Sequence, residues 1–575
     1  MIPGKLFISC PIFYVNSKPH LGHAYTLCLA DAWARYAEIR GHPALSPFSY
    51  PSTSRLKSLV KSKSPPQSLL SAGTDEHGMK VKLAAQKASL SPKEYCDQIS
   101  PLFQSLCKVF SINLKDFIRT TEDRHRHAVE EFWRHLDKSG QLYQATYAGW
   151  YSTSDEAFYT ERELTRTKSS VSVQSSSKSS STVPTIDNEP VYVVTETGNP
   201  VERVEETNFM FRLTSFKDPL HKWLDSGVFL ASSSQQIWRA HAHKLVDTAL
   251  DISVSRPTSR LDWGIPVPDH PDQVVYVWLD ALVNYLTVTG FQWTSKKHTS
   301  DIPWPPDFQF FGKDILKFHA ILWPALLMAV DLPLPRHLIC HGHLLVDGEK
   351  MSKSRGNVID PFSERLRLVP KVDTPGRADS EGLRYLLLRS ALLSNDVSYS
   401  PALAKQVINS ELVNCLGNLL SRITSVSVNP NQAIVRINRE EAEALFGGSD
   451  QDAELLKGMD TLAALFDELW WQNGQPHLAI EHVLSILREA NAFVDRHKPW
   501  DKEAAVEPEF VISVAAECLR LTGLLLRPVV PRLSARLLRR LGVEKEDAAD
   551  QRKQPQDRYF WDLGSDKRPL LQRLT

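Results

Sequence analysis

The sequence predicts an α/β protein that ends in an all-α region. Three observations carry this. The chain opens on a brief apolar strand, Leu6-Phe7-Ile8-Ser9-Cys10, followed by a loop and a helix. A second buried strand is expected at Val274-Val275-Tyr276-Val277-Trp278. Beyond about Pro401, helical periodicity dominates.

From Ala24 to Arg40 the apolar positions Leu27, Ala30, Trp33 and Ala37 recur at helix spacing, and Gly41 is a natural stop. Strand, loop and helix in that order open an α/β unit. The 274–278 run is rich in β-branched and aromatic residues, as strands are. Helices are expected over Ala402–Thr424, Ala453–Leu469, His477–Arg496 and Phe510–Leu526, which together make a helical bundle. No internal repeat is visible. Ser46–Leu70 holds eight Ser, four Pro, four Lys or Arg and no acid, so it reads as a surface insertion. Ser169–Ser181, with nine Ser in thirteen positions, reads as a flexible loop.

A chain of 575 residues exceeds what one core organises, and three or four domains are expected. Lys plus Arg equals Asp plus Glu at 67 each, so any nucleic-acid site must be a local patch. No apolar run approaches the roughly 18–20 residues of a membrane span. Met1–Cys10 reads as a strand rather than a signal or Arg-rich transit segment. Seven scattered cysteines without a Cys-x-x-Cys pair point to free thiols in a reducing compartment.

Two short motifs carry chemistry. Pro19-His20-Leu21-Gly22-His23 lies between the first strand and the first helix. A helix N-terminus suits phosphate, Gly22 admits close backbone approach, and imidazoles at i and i+3 can donate to one ligand. Lys350-Met351-Ser352-Lys353-Ser354, followed by Arg355-Gly356-Asn357, is a cationic loop able to clamp a polyphosphate. Each motif alone also fits a plain surface turn or loop.

Together, in this order, the two resemble the HIGH and KMSKS signatures of class I aminoacyl-tRNA synthetases. Further stretches resemble the methionyl-tRNA synthetase family: Pro11-Ile12-Phe13-Tyr14-Val15-Asn16, Gly73-Thr74-Asp75-Glu76-His77-Gly78, Tyr276 to Tyr285, and Phe311-Gly312-Lys313-Asp314-Ile315 with His319. In the helical region, Asn418-Leu419-Leu420-Ser421-Arg422 and Pro499-Trp500 resemble the family's anticodon-reading positions.

The resemblance implies a doubly wound, Rossmann-type parallel sheet split by a connective insertion and followed by a helical anticodon-binding domain. It implies activation of methionine with ATP and Mg²⁺ and transfer to a methionine tRNA with a CAU anticodon. His20, Gly22, His23, Lys350, Ser352 and Lys353 would meet the ATP phosphates, with His20, His23, Lys350 and Lys353 catalytic. Gly312 and Asp314 would hold the ribose. Asp75 and the Ile12 backbone would hold the methionine ammonium, and Tyr14, Trp278, Tyr285 and His319 would complete the methionine pocket. Asn418, Arg422 and Trp500 would read the anticodon. By residue type alone, Trp278, Tyr285 and His319 also fit a packed core, and Asp314 a helix N-cap.

The expected organisation is a first catalytic half over 1–118, a connective subdomain over 119–225, a second catalytic half over 226–335, a KMSKS-bearing linker over 336–400, and the anticodon-binding bundle over 401–575. Many relatives carry zinc knuckles in the connective part. Here no cysteine lies between 108 and 339, so thiolate ligation of zinc there is excluded. This resembles the zinc-free branch and implies a monomeric enzyme of the mitochondrial matrix, with a cytoplasmic one as the alternative. Competing readings are a synthetase for leucine, isoleucine or valine, and a catalytically inactive tRNA-binding homologue. The short insertion speaks against an editing domain, and the intact signatures against inactivity.

Overall fold

Five parallel strands form the central sheet: β1 (Phe7–Tyr14), β2 (Leu69–Asp75), β3 (Asp116–Arg119), β4 (Phe308–Gly312) and β5 (Leu338–His341). Their spatial order is β5-β4-β1-β2-β3. The order reverses beside β1, which creates a switch point between β1 and β4, where open α/β sheets place their ligands. The expected doubly wound fold is thus observed. The computed structural model describes residues 6–48, 68–153, 157–159, 161–167, 191–195, 198–293, 302–346, 348–351, 356–368, 380–543, 560–565 and 569–574. The Ser-rich loop over 169–181, most of the 46–70 stretch, Ser352 and Lys353 lie outside them.

Sheet strands covered on both faces read as continuous apolar runs rather than alternating ones. Phe7 to Cys10 accordingly are all buried. Between Ser9 and Ile12 the pairing of β1 with β2 shifts by one residue. Pro11 lies within this bulge, a place where a missing N–H is tolerated. The close approach of β2 and β3 needs Gly73, because a Cβ there would sit 2.1 Å from the Ile118 carbonyl oxygen.

Helix α1 (Leu21–Ile39) follows β1 and starts a turn earlier than its apolar periodicity indicates, because His20 caps it. The 46–70 stretch is anchored at both ends. Leu69 and Leu70 belong to β2, the Phe48 N–H donates to Glu517, and Arg520 donates to the Ser46 carbonyl. The expectation of a surface insertion therefore does not hold for its flanks, whose apolar residues enter the core.

The strand expected over Val274–Trp278 ends at Val275, and helix α2 (Val277–Thr287) begins two residues later. An apolar run alone does not distinguish a strand end from a buried helix start. Asp280 in the first turn marks the helix by complementing its dipole. Between β3 and β4 in the chain, an antiparallel sheet joins Leu142–Ser152, Ala157–Tyr159, Glu202–Phe211 and Ile252–Ser253.

The C-terminal helices include Asp450–Asp467, Pro476–His497, Pro508–Leu525 and Pro531–Arg540. The helix expected over 402–424 is α-helical at Pro401–Val407 and Asn418–Ile423, with a π-helical segment Ile408–Gly417 between. The bundle shares a core with α1, where Trp33 meets Trp470 with ring centroids 5.0 Å apart. Buried Arg384 donates to Asp31 of α1 at 2.5 Å and to the carbonyls of Phe110, Pro528 and Val529. Removing one member of such a buried pair costs about 3–5 kcal/mol, so this contact ties the bundle to the sheet.

Candidate functional site

The site is built on the His20 cap. His20 Nδ1 accepts the Gly22 N–H at 3.1 Å, and His23 Nδ1 accepts the His20 N–H at 3.0 Å. Two imidazoles thus make the reciprocal cap that Ser and Glu usually make. Since both Nδ1 atoms accept, both rings carry their proton on Nε2. The rings stack with centroids 3.8 Å apart, and Phe13 and Phe103 flank His23. Burial and the neighbouring His20 hold His23 well below the ordinary imidazole range. The pair is a preorganised set of neutral donors at a positive helix end. A Cβ at Gly22 would lie 3.0 Å from the His20 ring, so glycine protects this stacking.

The segment carrying the cationic motif meets the first motif. The Leu21 N–H donates to the Ile359 carbonyl at 3.1 Å. The Met351 methyl would touch a Cβ at Gly22 at 3.4 Å. Lys350 ends a hairpin and places Nζ 4.0 Å from Asp314. Asp314 follows β4 and lies 3.3 Å from His343 Nε2. His343 and Lys350 keep its carboxyl well below the usual range. Gly312 precedes it at the end of β4, where a Cβ would press on Asp314 Oδ1 at 2.8 Å.

Beside this cluster lies a group of packed aromatic side chains. Trp278, half-buried in the first turn of α2, stacks on Phe318 with centroids 3.6 Å apart at 8°. Its indole N–H has no partner among the described residues. Tyr14 meets the Trp278 edge at 6.5 Å, and Asp75 pairs in register with Tyr14 at the end of β2, buried. Ile12, after the bulge, is half-buried. His319 Nδ1 donates to the Ile315 carbonyl at 3.0 Å, so its Nε2 accepts the Tyr285 hydroxyl proton at 2.8 Å. A π-helical turn, Phe318–Leu322, carries His319 and sets its ring against Phe311.

His77 and Asp280 lie inside two of the family-like stretches, and the resemblance assigns a role to neither. Asp280 is buried and accepts from His77 Nδ1 at 2.6 Å and His125 Nε2 at 2.8 Å. Burial would raise its pKa, but the two imidazoles hold it below the usual range. Asp280 thereby braces the turn that presents Trp278. The signal was available: an acid inside the apolar run Val277 to Leu286 needs a partner.

Burial pushes His319 and His341 each down to about 4. Unfolded, they titrate near 6.5. Between these values the unfolded chain binds protons that the native state excludes, so stability rises with pH across that window and falls on acidification. Urea unfolding at pH 7 and pH 5 should show the loss, and His341→Gln should reduce it. An equal slope in that variant would mean that His341 is not buried neutral.

In the bundle, Asn418, Arg422 and Trp500 line one cavity of ≈ 760 Å³ together with Asn414, Ser421 and Asn491. The Arg422 guanidinium lies 5.0 Å from the Trp500 ring centroid and also pairs with Asp495. Among the described residues, no cluster of three or more His, Cys, Asp or Glu is set as metal ligands, and no helix is long and apolar enough to cross a membrane.

The model of the class I tRNA synthetases (M) matches residues 6–46 and 60–424. The human mitochondrial methionine–tRNA ligase is 39% identical over 555 residues, covering 94% of this chain and 85% of that protein. The methionine–tRNA ligase of Rickettsia conorii is 33% identical over 548 residues, covering 94% and 93%. A solved structure of the Mycobacterium tuberculosis methionyl-tRNA synthetase bound by methionyl-adenylate superposes with a TM-score of 0.78 at 31% identity, covering 99% of this chain and 100% of that one. With the family model matching most of the chain, a relative 39% identical over 94% of it and a solved structure superposing over 99% of it, the chain belongs to the methionyl class I tRNA synthetases.

Proposed function

We propose that the chain activates methionine with ATP and transfers it to the 3′-terminal adenosine of methionine tRNA, in mitochondria. The observation that carries the catalytic reading is the meeting of the His20–His23 pair, Lys350 and Asp314 at the switch point, beside the aromatic group around Trp278. The methionine carboxylate attacks the ATP α-phosphate, forming methionyl-adenylate and releasing pyrophosphate. A hydroxyl of the terminal adenosine then attacks the adenylate carbonyl and releases AMP. No protein nucleophile takes part, so catalysis rests on positioning and charge stabilisation.

The Nε2–H groups of His20 and His23 donate to the phosphates, beside Gly22. Lys350, Ser352 and Lys353 act on the β- and γ-phosphates of MgATP. Asp314 and the Gly312 backbone hold the ribose. Asp75 and the Ile12 backbone hold the ammonium. Tyr14, Trp278, Tyr285 and His319 enclose the thioether, which packs well against aromatic faces. Asn418, Arg422 and Trp500 read a CAU anticodon. The organisation follows the five segments 1–118, 119–225, 226–335, 336–400 and 401–575, and the enzyme acts as a monomer.

Pyrophosphate exchange with each of the twenty amino acids tests the specificity. Methionine alone should support it, and a response to leucine, isoleucine or valine would overturn the assignment. Asp75→Ala should raise the methionine KM at least about tenfold, as expected for loss of a charged hydrogen bond of roughly 1.5–3 kcal/mol. An unaltered KM would remove Asp75 from the ammonium site. The enzyme works without structural zinc, a reading supported by the absence of cysteine from 108 to 339. Elemental analysis should find no stoichiometric zinc, and one tight zinc per chain would refute it.

A further inference from the structure

We propose that a polar trough leading away from the Trp500 cavity binds the ribose–phosphate backbone of the tRNA strand adjoining the anticodon, with Lys405 and Arg573 as its phosphate contacts. This rests on reading Asn418, Arg422 and Trp500 as the anticodon site. A second cavity of ≈ 320 Å³ is lined by Lys405, Gln406, Asn409, Ser410, Asn414 and Arg573, with Ala402 as its one apolar side chain among the described residues. Asn414 also lines the larger cavity, so the two share a wall and continue one another.

The trough runs along the helical stretch 401–423, whose middle segment is π-helical. In an α-helix a step of four residues overshoots one turn by about 40°. Four such steps would carry a row of side chains round to the buried face. The π-helical segment Ile408–Gly417 has wider turns, so steps of four there fall short and cancel the drift. The buried side holds its line accordingly: Ala404, Ile408, Leu412, Leu416 and Leu420 are all buried at steps of four. Lys405, Asn409, Asn414, Asn418 and Arg422 lie on the side of this stretch away from that row, none of them buried, and the step of five from Asn409 to Asn414 moves the polar side chains across the helix face. Lys405 is joined to the anticodon cavity through Asn414, which lines both cavities.

The chemistry of the lining selects the ligand. The smaller cavity is lined by amides, a hydroxyl and two cations beside Ala402, the larger one also by Val428, Val494 and Trp500, and no carboxylate lines either among the described residues, in a chain that has as many acids as bases. Lys405 and Arg573 are exposed, and neither has an ion-pair partner among the described residues. Arg573 is held at the trough by its neighbour. The Leu574 N–H donates to Asn409 Oδ1 at 2.8 Å, and Asn409 Nδ2 donates to the Leu574 carbonyl at 3.0 Å. Leu574 itself is buried. A protein partner would want apolar anchors, which the trough lacks. Polyanionic backbone wants spaced cations and small polar donors, which the trough has.

The test is tRNA affinity of the full chain as a function of salt, for methionine tRNA and for the same tRNA with an altered anticodon. The double variant Lys405→Gln/Arg573→Gln should weaken binding of both tRNAs together and lower the slope of log affinity against log salt by about one unit per cation. The ratio between the two tRNAs should stay, because phosphate contacts carry no sequence information. Lys405→Arg/Arg573→Lys should restore the slope, which a merely structural role would not predict. Trp500→Ala in the same assay should collapse the ratio and leave the slope. An unaltered slope in the double variant, with the ratio lost in Trp500→Ala, overturns the trough alone. A ratio that survives Trp500→Ala overturns the anticodon reading and the trough with it. A double variant that loses the ratio overturns the assignment to phosphates.

Discussion

His20→Asn is expected to slow methionyl-adenylate formation by about 10²- to 10³-fold, the cost of removing one preorganised donor aimed at developing charge, while leaving the fold intact. The two roles of His20 separate in this variant. As a cap, the side chain accepts the Gly22 N–H at 3.1 Å, and Asn is among the best residues at that task. As a donor, it offers Nε2–H, which Asn cannot place at the same reach. His20→Ala should lose both, with a further drop in stability of about 1 kcal/mol. Single-turnover pyrophosphate release gives the rate, and thermal unfolding gives the stability. The methionine KM should move little, since the phosphate donors act on charge that grows towards the transition state. A His20→Asn enzyme with the wild-type activation rate would remove His20 from the chemistry.

Much of the fold was legible because it is written in local periodicity. The strand at Leu6–Cys10, the helix after His20 and the helices of the bundle all follow from apolar spacing and from stops such as Gly41, and each is present within a few residues. Three features were not legible. The strand expected through Trp278 ends at Val275 because a short buried run looks the same at a strand end and at a helix start. The π-helical segment at Ile408–Gly417 is invisible to a reading based on a 3.6-residue period. The flanks of the 46–70 stretch look like solvent-exposed loop by composition, yet Phe48 and Leu70 are buried, Phe48 beside Glu517 of a distant bundle helix and Leu70 in register with Ile8 of β1.

The candidate site divides the same way. Its residue types were readable as motifs, but their meeting was not. Nothing in Pro19–His23 or in Lys350–Ser354 specifies that Leu21 bonds to Ile359 or that Lys350 reaches Asp314. Those contacts follow from the sheet order, which brings the ends of β1 and β4 together. The His319 ring is held from nearby by the Ile315 carbonyl, four residues back, and from a separate helix by the Tyr285 hydroxyl, which no local pattern reveals. The Asp280 bridge to His77 and His125 joins three segments and has no sequence spacing to reveal it.

Trp500→Ala should reduce aminoacylation of methionine tRNA by about ten- to a hundredfold, with a much smaller effect on tRNA-independent pyrophosphate exchange. The helix Pro476–His497 ends at Lys498, whose left-handed conformation turns the chain and throws Trp500 clear of the packed face. The indole is 46% exposed, unusual for the largest apolar side chain, and it forms one wall of the ≈ 760 Å³ cavity. A ring so placed is available to an unstacked base, and base–aromatic stacking is worth roughly 1–3 kcal/mol by alanine substitution. Arg422 lies 5.0 Å from the ring and Asn418 stands one turn before it, so a guanidinium and an amide can meet the polar edge of the stacked base. Losing the indole also loses the cation–π contact that orients Arg422. Trp500→Phe, which retains a stacking face, should therefore recover most of the activity. Equal losses in aminoacylation and exchange would mean a damaged fold, and full aminoacylation by Trp500→Ala would place base reading elsewhere on the bundle.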